Sequence, residues 1–232
     1  MFILNKNQDY IYSDSYSKNI IAGFGTKQMG DGREKNLFTH YFKDQVLVTP
    51  KQIHSTNVVE YKSGENTAPD RCDGVITKER NVVLTVITAD CLPIIYYDSV
   101  SEIIGISHQG WQGTLSRLPS IMIDRMIELG GSAENIHCVF GPAINDCCYE
   151  IFGERLNKFQ KEFNSDLIFR KQGKNYFLNL SRANYLSLRA SGISTQNIIY
   201  LPFCTSCDSE KFWSYHRDRE INGEMLTFTM RR

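Results

Sequence analysis

The residues best equipped for chemistry gather in one stretch, Thr88 to Thr114. Asp90-Cys91 stands just before an apolar, β-branched run, Ile94–Tyr97. His108 stands just after a second such run, Ile103–Ile106, and leads into a glycine-rich turn, Gly110-Trp111-Gln112-Gly113. A thiol and an imidazole at the ends of neighbouring strands can meet in space, which is how soft metal ligands and Cys/His pairs are assembled. His54, beside another β-branched run, adds a third donor. A His-Cys-His set leaves the fourth position of a tetrahedral zinc open, as in catalytic rather than structural zinc. Water at such a position ionises near pH ~7. Residue types alone leave rivals standing. Cys91 can be inert core and the histidines ordinary hydrogen-bonded structure. Cys91 can also be a nucleophile with His54 or His108 as base and Asp90 assisting. Asp90 can equally orient a metal-bound histidine from behind.

Other motifs carry less. H-E-x-x-H is absent, as is the H-x-E and P-C-x-x-C pair of zinc nucleobase deaminases. Cys204-Thr205-Ser206-Cys207 is a C-x-x-C without a second pair, and Cys147-Cys148 reads as two ordinary thiols. Gly25–Gly32 reads as a plain surface loop. The tail segment Phe212–Arg219 (F-W-S-Y-H-R-D-R) offers either a stacking surface with an anion contact or a strand with one buried aromatic face.

The elements that must position these residues are interspersed strands and helices. Strands are expected at Ile20–Phe24, Gln45–Thr49, Asn57–Tyr61, Gly74–Thr77, His137–Phe140, Leu167–Phe169, Tyr176–Leu178, Ile198–Leu201 and Met225–Thr229. Val82–Thr88 is almost continuously apolar and fits a strand buried on both faces. Leu115, Leu118, Ile121, Met122, Met126 and Leu129 recur at helical spacing, predicting one helix from Leu115 to Leu129 stopped by Gly130-Gly131. Gly153–Phe163 and Leu180–Ala190 are further helices. The first twenty residues suggest an edge hairpin or a loose arm. Together these predict a single α/β (α+β) domain over residues 1–232, with no linker and no repeat.

Composition narrows the function classes. The chain has 232 residues, 41% hydrophobic and 22% charged, enough for a sizeable core. Twenty-six basic residues balance twenty-six acidic ones, which gives no support for nucleic-acid or membrane-surface binding. No apolar run approaches the ~20 residues of a membrane span. The N-terminus lacks the basic region of a signal peptide, so a cytoplasmic protein is expected. Seven irregularly spaced cysteines read as reduced thiols rather than a disulfide framework.

Several motifs in a fixed order go further. They are Gln52-Ile53-His54-Ser55, Cys72-Asp73-Gly74-Val75-Ile76-Thr77, Thr88-Ala89-Asp90-Cys91-Leu92-Pro93 and His108-Gln109-Gly110-Trp111-Gln112-Gly113-Thr114. Gly141-Pro142-Ala143-Ile144, Tyr149-Glu150, Asn179-Leu180, Cys204-Thr205 and Phe212-Trp213-Ser214-Tyr215 continue them. Together they resemble the laccase-domain (YfiH-type) family over nearly the whole chain, from Ala22 to Met225. The resemblance implies a layered α/β sandwich and a zinc site on His54, Cys91 and His108, with copper the less favoured metal. It implies purine nucleoside chemistry: phosphorolysis of adenosine, inosine and guanosine, cleavage of methylthioadenosine, and adenosine deamination. Asp90 is then a catalytic candidate, and Lys27, Asn36 and Arg217 are candidate contacts to ribose or phosphate. The expected partners are a nucleoside and phosphate, with the chain a monomer or homodimer. An older reading of the family is a copper-dependent phenol oxidase, and some bacterial members resemble a cell-wall precursor editing factor, for which Cys91 would be the nucleophile of an amide hydrolase. The chain departs from the family pattern where arginines are usual, at Lys27, Gln112, His216 and Glu224. Lysine and glutamine do not reproduce an arginine fork on phosphate, so Gln112 in particular predicts a weaker hold on that anion.

Overall fold

The computed structural model describes residues 2–5, 7–13, 19–34, 37, 40–220 and 222–232. The strands in chain order are β1 (Phe2–Leu4), β2 (Tyr10–Ser13), β3 (Ile20–Gly25), β4 (Val46–Val48), β5 (Val58–Glu60), β6 (Gly74–Thr77), β7 (Val82–Thr88) and β8 (Leu92–Asp98). They continue with β9 (Ile104–Gln109), β10 (Ile136–Phe140), β11 (Glu150–Ile151), β12 (Phe169–Gln172), β13 (Asn175–Leu178), β14 (Ile198–Tyr200) and β15 (Met225–Arg231). The helices are α1 (Trp111–Leu115), α2 (Leu118–Glu128), α3 (Gly153–Phe163), α4 (Leu180–Ala190) and the single turn α5 (Tyr215–Asp218).

The strands form two six-stranded sheets, ordered β1-β2-β3-β15-β7-β4 and β14-β10-β8-β9-β6-β5, and a three-stranded one, β11-β13-β12. The period-2 pattern of each central strand explains the layering. In β8, Ile95 and Tyr97 meet the first sheet, whose Leu84, Val86 and Phe24 face them. The alternate residues Leu92, Ile94 and Tyr96 meet Leu118, Met122 and Met126 of α2 and Leu188 of α4. β8 is therefore buried throughout, and each such side chain removed from water contributes roughly 1.5–3 kcal/mol. β7 is sandwiched as its sequence predicts: Val82, Leu84 and Val86 face the second sheet, and Val83 faces Met29, Phe42 and Phe228. The small sheet, α3 and α4 enclose their own core around Phe159, Ile168 and Leu178. The result is the layered α/β sandwich expected, with an edge hairpin, β1–β2, at the N-terminal side.

Two elements differ from expectation. The helix predicted over Leu115–Leu129 is two helices, because Pro119 in the first turn of α2 has no N–H to offer and its ring would clash with the carbonyl of Leu115. The chain turns at Arg117, which takes a left-handed conformation (φ 56°). The aromatic segment before Arg219 is not a strand. Ser214 accepts the N–H of Arg217 at 3.2 Å and caps the one-turn α5. A smaller difference is that Ser165 caps a 3-10 turn at Asp166–Ile168 before β12 begins.

Candidate metal centre and its pocket

β8 and β9 pair antiparallel with Pro93 opposite His108 and Leu92 opposite Gln109. This register puts Cys91, one residue before β8, beside His108 across the ladder. His108 lies within β9 rather than beyond it, and the glycine-rich turn begins α1, with Gly110 as its N-cap. His54 arrives from the loop between β4 and β5 with φ 60°. Its Nε2 is 3.9 Å from Cys91 Sγ, and its ring is 4.8 Å from that of His108, edge to face. One donor atom from each of His54, Cys91 and His108 lies within 4.8 Å of the others.

Asp73 holds this arrangement. It is fully buried just before β6. One carboxylate oxygen accepts the His54 N–H at 3.0 Å and the His108 Nδ1–H at 2.8 Å. The other accepts the N–H groups of Ile53 (3.2 Å) and Ser55 (2.6 Å) and the Ser55 hydroxyl (2.7 Å). These bonds fix the left-handed bend at His54 and commit His108 Nδ1 to donation, leaving its Nε2 for a metal. Burial alone would raise the Asp73 carboxyl, but the bonds from His108 and Ser55 outweigh it and hold it well below the usual range. Asp73 stands in the Cys72–Thr77 motif, whose order gives no sign of this role. Its only signal was an acid at the mouth of an otherwise apolar strand.

Burial likewise pushes the Cys91 thiol up, yet the adjacent His108 and His54 bring it down to about 7. Burial pushes the His108 imidazole down, and Cys91 and Asp73 reverse that into a rise.

The donor set fits zinc. Two imidazoles and one thiolate are soft-to-borderline ligands, three in number, with room for a fourth. The room is made by Gly110: a Cβ there would come 2.6 Å from His54 Cδ2 and 3.4 Å from Cys91 Sγ. Gly110 has ordinary extended backbone, so Gly110→Ala introduces the methyl without backbone strain. We expect it to fold normally and to retain metal at least ~10-fold less tightly, the scale of a disturbed ligand shell, as read by chelator competition.

The trio sits where two cavities meet, and both have His54, Cys91, Ala89 and Tyr215 in their walls. The first, about 490 Å³, adds His108, Pro50, Ile87 and Glu224. The second, about 310 Å³, adds Trp111, Tyr149, Arg155, His216 and Arg219. In it the Arg155 guanidinium lies 4.5 Å from the Trp111 ring centroid and donates to the Tyr149 hydroxyl at 3.2 Å.

A family model described as multi-copper polyphenol oxidoreductase laccase matches residues 30–232. The chain belongs to this laccase-domain family. Purine nucleoside phosphorylase RP494 of Rickettsia prowazekii is 37% identical over 82% of this chain and 80% of its own length. Adenosine deaminase RL5, from an unknown prokaryotic organism, is 31% identical over 78% of this chain and 73% of its own. The crystal structure of YlmD from Geobacillus stearothermophilus superposes with a TM-score of 0.90 at 25% identity, covering 100% of this chain and 98% of that one.

The basic residues that line the cavities are not the ones singled out as candidate contacts to ribose or phosphate. Gln112 is exposed and lines neither cavity. Arg219, from the tail segment offered above as an anion contact, and Arg155, which the sequence did not single out, line the second cavity. Arg217 is turned away from both: its guanidinium donates to Asp218 and to the carbonyls of Thr205 and Phe212. Lys27 donates to the Ser209 carbonyl at 2.7 Å. Asn36 lies outside the described residues. Asp90, at φ 90°, accepts the Thr205 hydroxyl at 2.6 Å and the His216 N–H at 2.7 Å. It thereby ties α5, and with it Tyr215, to the edge of the pocket, while Asp73 supports the histidines. Of the four departures from the family's arginines, Glu224 and His216 line a cavity.

Among the described residues, no helix is long and apolar enough to cross a membrane.

Proposed function

We propose that this chain is a zinc-dependent purine nucleoside enzyme, carrying out phosphorolysis of adenosine, inosine, guanosine and methylthioadenosine and deamination of adenosine. The observation that carries this reading is the two-lobed pocket meeting at His54, Cys91 and His108. It stands in a chain akin to proteins named purine nucleoside phosphorylase and adenosine deaminase.

His54, Cys91 and His108 would hold the metal, with Asp73 fixing both histidines. When bound, zinc supplies Lewis acidity at its open coordination position. The residues do the rest. The larger cavity takes the nucleoside, its purine lying against Ile87 and Pro50. Glu224 faces that space, and burial raises its carboxyl, which makes it the candidate proton donor to a ring nitrogen of the departing purine. The smaller cavity takes phosphate, whose oxygens suit the Arg155 and Arg219 guanidiniums. Tyr215, common to both cavities, stands over the junction where ribose and phosphate meet. Deamination uses the same cavity with the base edge, rather than the ribose, turned to the trio.

The test is a panel of nucleosides incubated with and without phosphate and separated by chromatography. Hypoxanthine released from inosine only when phosphate is present marks phosphorolysis, and inosine formed from adenosine marks deamination. Failure of both reactions would sink the proposal. If Arg155 binds phosphate, Arg155→Ala should raise the KM for phosphate roughly 10- to 100-fold, the scale of a lost charged hydrogen bond, with deamination unchanged. Equal effects on both reactions would contradict that assignment.

One observation favours a second reading. The lowered Cys91 thiol in an open pocket is also the signature of a nucleophile, as amide hydrolysis on a cell-wall precursor would need. Turnover by metal-free protein, with a covalent adduct trapped on Cys91, would support it. A copper-dependent phenol oxidase is less suited, because one cysteine and two histidines do not make a multicopper centre.

A further inference from the structure

A second cysteine group lies on two other loops. Cys147 and Cys148 follow β10 in the turn Asn145–Tyr149, and Cys204 and Cys207 follow β14. The C-x-x-C has a partner pair in space: the sulfur atoms of Cys147, Cys148, Cys204 and Cys207 all lie within 4.8 Å of one another. Cys207 Sγ is 3.5 Å from Cys147 Sγ and 3.3 Å from Cys148 Sγ, and all four are free thiols. Sequence alone could not pair them, since 55 residues separate Cys148 from Cys204 on different strand ends.

We infer that these four cysteines form a second, structural metal site that takes a single zinc ion. The separation matches the chemistry. Four thiolates at ~2.3 Å from one tetrahedral ion stand ~3.8 Å apart. An iron–sulfur cluster spreads its cysteines over several irons, so it needs a wider cage. Four sulfur ligands fill a tetrahedral shell and leave no open position, as structural zinc requires.

The surroundings are built for it. The two loops are already joined by hydrogen bonds: Thr205 N–H to the Ala143 carbonyl at 3.1 Å, and the Asn145 side-chain amide to the Phe203 carbonyl at 3.1 Å. The C-x-x-C closes as a tight turn, with Cys207 N–H on the Cys204 carbonyl at 3.1 Å. Backbone N–H groups of Asn145 and Cys207 reach the Cys204 sulfur. Such N–H donors support a metal-bound thiolate. Arg170 donates to the Asp146 carbonyl at 2.8 Å and the Cys147 carbonyl at 3.5 Å, placing a cation beside a centre of net negative charge. The site would staple the Cys204–Cys207 loop, whose Thr205 holds Asp90.

Metal analysis of protein purified under reducing conditions tests this without reference to the reaction catalysed. Wild type should carry two zinc ions per chain. Cys207→Ser should carry one, Cys91→Ser should carry one, and the double variant none. Cobalt-substituted Cys91→Ser should keep the strong sulfur-to-cobalt charge transfer of a four-thiolate centre, and Cys207→Ser should lose it. Should Cys207→Ser not fold, wild type decides alone: the exposed Cys147 and Cys207 should resist alkylation when zinc is bound and react once it is chelated. One zinc per wild-type chain that Cys91→Ser removes entirely would overturn the inference. So would alkylation of Cys147 and Cys207 at the same rate with and without zinc, or disulfides among the four in reduced, zinc-supplied protein.

Discussion

Cys91→Ala should lose the zinc of the His54–Cys91–His108 site and with it nucleoside turnover, by at least ~10³-fold, the equivalent of the several kcal/mol of charge stabilisation a metal contributes. Two histidines alone leave the ion half-coordinated, and the thiolate is the only anionic member of the set. The fold should survive, because Cys91 precedes β8 and faces the pocket, while the core side chains of that strand begin at Leu92. Far-ultraviolet circular dichroism, metal content and steady-state rates on the same preparation check all three points. Full activity in a metal-free Cys91→Ala protein would remove the metal from the account.

The largest cost to stability is expected at Asp73. Asp73→Ala deprives the N–H groups of Ile53, His54 and Ser55, the Ser55 hydroxyl and His108 Nδ1 of their common acceptor. Breaking a buried ionic partnership of this kind costs roughly 3–5 kcal/mol, measurable by urea denaturation. Asp73→Asn keeps the volume but offers one acceptor oxygen in place of two, so it should cost less and still weaken metal binding ~10- to 100-fold. The pH dependence has a definite sign. The native Asp73 carboxyl titrates well below its unfolded value of ~3.9, so its contribution is complete above that value and disappears as pH falls towards the native one. The gap in stability between wild type and Asp73→Asn should therefore be widest near neutrality and shrink in acid.

What could be read from the residues, and what could not, follows from how local each signal is. The β-branched run Val82–Thr88 and the helices Gly153–Phe163 and Leu180–Ala190 needed only their own periodicity. The break at Arg117 was hidden because the apolar spacing continues across it while Pro119 interrupts the hydrogen bonding. His54, Cys91 and His108 were legible as a set through motif order. Asp73 was not, because its role lies in five donors supplied by two other segments. Which basic side chains line the cavities was hidden for a related reason. Arg217 looks free in sequence, but the capped turn of α5 folds it back onto Thr205, Phe212 and Asp218. Arg155 looks like an ordinary helix-surface residue until Trp111 is brought beneath it. The four-cysteine group was lost for the plainest reason, that adjacency of two loops is not written in either.

The measurement that bears most directly on the central claim is metal reconstitution of the wild-type enzyme. Protein stripped by a chelator and dialysed should turn over neither inosine with phosphate nor adenosine. Zinc returned at two equivalents per chain, enough to fill the His54–Cys91–His108 and the four-cysteine sites, should restore both reactions. Undiminished nucleoside turnover by the stripped protein would contradict the account.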